Sequence, residues 1–76
     1  MKAKLIEKVV TKQFNFQVTI DSKEYDVTIW LDPEKNKFMD DVIRFNGEML
    51  GCEGTEGEIR EKILDFLDKE WENLVQ

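Results

Sequence analysis

The chain has 76 residues, 41% of them hydrophobic and 37% charged, with a net charge of −6 at neutral pH. That length allows one core and excludes a second domain, and the apolar content places the chain among folded domains and outside the regime of disorder. One cysteine and no histidine exclude an internal disulfide and the usual zinc ligand sets, so packing alone must hold the fold.

The N-terminal stretch MKAKLIEKVVTK has lysines but no apolar core and no small-residue cleavage site, so it does not read as a secretory signal. Ile6 and Val10 share the parity of the next apolar row, which makes this segment either part of one long bent strand or a strand of its own, broken near Lys12 and Gln13. The doublets Leu5-Ile6 and Val9-Val10 also fit a short helix, but the β-branched Ile6, Val9, Val10 and Thr11 favour extended chain.

From residue 14, FNFQVTI places Phe14, Phe16, Val18 and Ile20 on one side and Asn15, Gln17 and Thr19 on the other, the pattern of a half-buried strand. After the polar DSKE, YDVTIWL repeats it with Tyr25, Val27, Ile29 and Leu31. Read as a four-residue turn, DSKE pairs Ile20 with Tyr25, Val18 with Val27 and Phe16 with Ile29, and both apolar rows fall on one face. Pro33 in DPEKNK ends the ladder, because it lacks an amide proton and restricts Asp32 to extended geometry. Asn46-Gly47 then signals a tight hairpin, with strands expected over 41–45 and 48–51.

Thr55-Glu56-Gly57-Glu58 matches a capping box, with the Thr55 hydroxyl as cap and Glu58 reaching back. Glu53, Glu56 and Glu58 gather at the positive end of the helix dipole, and Gly51 and Gly54 allow a sharp exit from the last strand. Ile59, Ile63, Leu67, Trp71 and Leu74 recur at helical spacing, with Leu64, Phe66 and Val75 at the margins, so a helix of about twenty residues closes the chain. Its apolar stripe has one place to go, the greasy face of the sheet. The expected fold is therefore a single α+β domain over 1–76, a two-layer antiparallel sheet of four to five strands with two hairpins packed on one C-terminal helix.

Charge is unevenly placed. Residues 1–23 carry a net +3, residues 24–52 a net −4 and residues 53–76 a net −5. An acidic C-terminal half repels phosphates and anionic lipid and attracts basic surfaces, so direct nucleic-acid binding is not expected. No apolar run approaches the roughly 18 residues of a membrane span. Together with a lone thiol, this makes the cytoplasm the expected compartment.

Catalytic chemistry finds little to work with. Nucleophilic catalysis lacks a histidine base, and the single serine, Ser22, sits in a turn. Cys52 stands beside Glu53, whose charge disfavours the thiolate, although a nearby helix N-terminus pulls the other way. Seventeen acids make close carboxylate pairs inevitable and therefore uninformative without a sheltered cleft. A calcium loop starting at Asp32, Glu34 and Asn36 fails at Lys37, where glycine is needed, and at Ile43, where a bidentate acid is needed. A phosphate cradle at Gly51, Gly54 and Gly57 is opposed by Glu53 and Glu56 and lacks the following lysine. No catalytic, cofactor-binding or metal-binding residue is expected.

Two features point to a partner. Trp30 has the wrong parity for the face of Ile29 and Leu31, so it stands on the uncovered side of the sheet with Thr28, Gln17 and Thr19; exposed tryptophan is enriched among interface anchors. Cover by a loop or by the N-terminal segment is the favoured alternative, because a small domain can use an aromatic to plug its open face. Glu61, Asp65, Asp68 and Glu72, with Glu58 beside them, form an acidic ridge on the outer face of the helix, only partly offset by Lys62 and Lys69. A solvated face is the ordinary meaning of such a stripe.

The leading expectation is a small acidic, non-enzymatic protein–protein interaction module. The alternatives are a nucleic-acid mimic that inhibits a nucleic-acid-binding protein, of the kind used in phage or mobile-element counter-defence, and a minimal metal-dependent hydrolase. A homodimer through an edge strand also fits, if the first strand is long and unpaired; Lys4, Lys8 and Lys12 equally fit protection of that edge.

Overall fold

A computed structural model describes residues 1–9, 13–32 and 38–75. Five strands precede one helix: β1 (Lys2–Val9), β2 (Gln13–Ile20), β3 (Lys23–Leu31), β4 (Phe38–Phe45), β5 (Glu48–Met49) and α1 (Gly54–Leu74). The strands pair in chain order, β1-β2-β3-β4-β5, each antiparallel to its neighbour. Helix α1 covers one face, giving the expected α+β architecture.

Strand alternation builds the core. Phe14, Phe16, Val18, Tyr25, Val27, Ile29, Leu31 and Ile43 come from β2, β3 and β4, and Ile63 and Leu67 from α1, and all are buried. Ile59, Leu64, Trp71, Leu74 and Val75 complete the helical side, while Phe66 is half-buried outside this cluster. Trp71 sits at the centre of an aromatic group, with ring centroids 4.9 Å from Phe14, 5.4 Å from Phe16 and 5.3 Å from Phe38.

Several sequence expectations are corrected. The β2–β3 register differs by two residues: Ile20 pairs with Lys23, Val18 with Tyr25, Phe16 with Val27 and Phe14 with Ile29. The turn is the pair Asp21-Ser22, with φ of 49° and 68°, the positive values that a type I′ hairpin requires. A shift of two preserves parity, so the apolar rows still share a face.

Ile6 does not face inward. A bulge between Leu5 and Glu7 leaves it out of the β1–β2 pairing, and it is 56% exposed while Ala3 and Leu5 pack on the core. Among the described residues the segment is a strand of its own, paired with β2 from Lys2 to Val9. Val10 and Lys12 lie outside the described residues.

Strand β4 starts at Phe38, three residues before the expected Asp41, with an irregularity between Trp30 and Leu31. The Asn46-Gly47 turn is as expected, with φ of 54° and 84°. Strand β5 ends at Met49 where Gly51 was expected, although the Leu50 amide still donates to the Ile43 carbonyl at 2.8 Å. The expected ladder stop falls after Leu31, and Pro33 itself lies outside the described residues.

The capping box is displaced. Glu53 is the N-cap residue, without a side-chain cap, and Thr55 lies inside the helix. Glu56 does the reaching back: the Gly51 amide donates to its Oε1 at 2.9 Å. Gly54 supplies the sharp turn with φ of +64°, whereas Gly51 has no positive φ. Gly57 is needed for space, since a Cβ there would lie 2.5 Å from the Cys52 carbonyl oxygen.

Candidate functional site

The five candidate partner-binding residues separate onto two faces. Trp30 pairs with Gln13 and Asp40 on the side of the sheet away from α1, as its parity required. It is half-buried there and does not belong to the core. The same face carries polar contacts farther along the strands: the Thr28 hydroxyl donates to Asn15 Oδ1 at 3.0 Å, and the Gln17 amide to Glu24 Oε2 at 3.2 Å. Glu61, Asp65, Asp68 and Glu72 are all exposed on α1, as is Glu58. Helix and open face lie on opposite sides of the sheet, so Trp30 and the acidic ridge form two surfaces, not one site.

The ridge exists because the helix repeat sorts these residues away from Ile63 and Leu67. Its carboxylates recur over about 21 Å at 1.5 Å per residue, about one per 5 Å. Lys62 and Lys69 are also exposed beside them.

Toward its C-terminal end the ridge meets a groove of about 590 Å³, floored by Leu31, Phe38 and Trp71 and edged by Asp68, Lys69, Glu72 and Asn73. Thus two of the predicted residues, Asp68 and Glu72, lie beside an apolar surface, and Trp71 serves both the core and the groove. The groove was not read from the sequence. Trp71 was placed in the helical stripe, but Phe38 lay before the expected start of its strand, so their meeting had no local signal.

Asp41 is the other residue that the sequence reading passed over. It pairs with Ile29, on the core side of the sheet, and Arg60 Nη2 donates to its Oδ1 at 2.7 Å, with Asp41 13% and Arg60 29% exposed. Its Oδ2 is buried without a hydrogen-bond partner. The available signal was parity: Asp41 alternates with Ile43 and Phe45, so an acid was due on the helix side. This pair clamps α1 to β4.

Among the described residues, no group of three or more His, Cys, Asp or Glu side chains is placed to hold a metal ion. Ile43, at the last position of the calcium-loop reading, is a core residue. Cys52 is exposed and free of a disulfide. No helix among the described residues is long and apolar enough to cross a membrane.

Fold and surfaces define a small antiparallel α+β domain with an acidic helix on its outside. Compared with known protein families, with curated proteins and with solved structures, the chain finds no match.

Proposed function

We propose that the protein is a small acidic interaction module without catalytic activity, which docks on a basic surface of a protein partner through the outer face of α1. The observation that carries this reading is the row of five exposed carboxylates, Glu58, Glu61, Asp65, Asp68 and Glu72, along one side of α1. Such a field steers association and selects basic partners. The free thiol of Cys52 fits a reducing cytoplasm.

The test is capture of partners from the native host by the wild type and by the charge-reversed Glu61→Lys/Asp65→Lys chain. Capture should weaken as salt rises and be lost on charge reversal. Capture that is indifferent to both would sink the reading. Loss in Trp30→Ala, with salt resistance, would move the interface to the open face of the sheet.

A second reading, nucleic-acid mimicry, draws on the charge spacing. One carboxylate per about 5 Å of α1 approaches the single phosphate per roughly 3.4 Å of one DNA strand. In that case the captured partner binds nucleic acid, and the protein displaces the nucleic acid competitively.

A further inference from the structure

We infer that the groove beside the last turns of α1 is an anchor site for an arginine side chain on a basic segment of the protein partner. This rests on the reading of α1 as the docking face and adds where and how the partner is held. The groove's apolar surface comes from half-buried Phe38 and Trp71 and from Leu31, which is 9% exposed. Indole is the best aromatic surface for a cation, and arginine is the cation more often found on one.

The rim selects the same chemistry. Asp68 and Glu72 stand at i and i+4, which brings their Cβ atoms within about 5–6 Å of each other, and both are exposed at the groove. Two neighbouring carboxylates can take donors from two edges of one planar guanidinium, whereas an ammonium offers only a point charge. Helix α1 also has no basic residue in its last turn, so the helix itself does not offset the partial negative charge of its end, about half an elementary charge. Among the described residues, Lys69 is the one cation on the rim, and it opposes binding. Asn73 does not, because its amide donates to Glu70 at 2.9 Å.

The probe is the peptide acetyl-Gly-Gly-Arg-Gly-Gly-amide, titrated at low salt into the ¹⁵N-labelled chain, with the glutamine peptide as control. The two indole N–H signals report separately, Trp71 at the groove and Trp30 on the opposite face. The arginine peptide should move Trp71 saturably and leave Trp30 in place, and the glutamine peptide should move neither. Asp68→Asn/Glu72→Gln should weaken the effect about ten-fold or more, as expected for loss of charge-assisted hydrogen bonds, and Lys69→Gln should strengthen it. The assignment is overturned if Trp71 stays in place, if both peptides move it equally, or if the double substitution leaves the affinity unchanged. Shifts confined to the amides of Glu58, Glu61 and Asp65 overturn the groove and leave the docking face standing. That face fails separately, if Glu61→Lys/Asp65→Lys captures partners as the wild type does.

Discussion

Arg60 and Asp41 join the helix to the sheet through one short contact, Nη2 to Oδ1 at 2.7 Å. Asp41 stands opposite Ile29 on the core side, where an acid without a partner would be costly. Replacing Arg60 by Ala strands that carboxylate and should destabilise the domain by about 1–3 kcal/mol. Asp41→Leu/Arg60→Met should cost less than Arg60→Ala, since apolar replacement of both members removes the unpaired charge. Urea titrations of the single and double variants check this. If Asp41→Leu and Arg60→Met, measured singly, add to the double variant within about 0.5 kcal/mol, the residues are not coupled.

Gly57 gives a test of sign. Alanine in place of an unconstrained helical glycine stabilises by about 0.5–1 kcal/mol. Here the added methyl would meet the Cys52 carbonyl oxygen at 2.5 Å, and that atom belongs to backbone. Gly57→Ala should therefore destabilise the domain by about 1–3 kcal/mol, the scale of overpacking, and lower the urea midpoint. A raised midpoint would show that the loop before α1 yields easily.

At the β2–β3 turn, Ser22 holds φ of 68°, a conformation that costs a side chain roughly 1 kcal/mol and costs glycine almost nothing. Ser22→Gly should raise stability by up to about 1 kcal/mol, because Asp-Gly is a favoured type I′ pair. The denaturation midpoint reads the outcome. A loss of stability would count against the two-residue turn and favour the longer one.

The two tryptophans should behave differently. Trp71 touches Phe14, Phe16 and Phe38, and its truncation to Ala should cost about 3–5 kcal/mol, comparable with the roughly 3–5 kcal/mol that a core of this size supplies. Trp71→Ala should be largely unfolded by circular dichroism at room temperature. Trp30 lies outside the core cluster, so Trp30→Ala should remain folded. Equal loss of structure in both would mean that the open face bears as much of the stability as the core.

Much of the architecture was legible because it is periodic. Alternation fixed which side of β2 and β3 is greasy, and that survived a two-residue error in register because a shift of two leaves every side chain on its face. Asn46-Gly47 marked its hairpin, since few pairs accept positive φ twice. The stripe Ile59, Ile63, Leu67, Trp71 and Leu74 marked α1, and its complement marked the ridge. Where two local patterns competed, the reading slipped: Thr55 looked like a cap, but Gly54 turns the chain earlier and Glu56 closes on Gly51. Ile6 shared the inward parity until a bulge broke it.

What the sequence determined by itself is the set of amphipathic elements and the face each offers, because those follow from repeats of two and of about 3.6 residues along one chain. What only the tertiary structure decided is which distant residues meet: Arg60 with Asp41, Gly57 with the Cys52 carbonyl, and Leu31 and Phe38 with Trp71 beside Asp68 and Glu72. These meetings depend on strand register and on where α1 begins and crosses the sheet. Long-range packing and close backbone approach set those quantities, and neither leaves a repeat in the sequence.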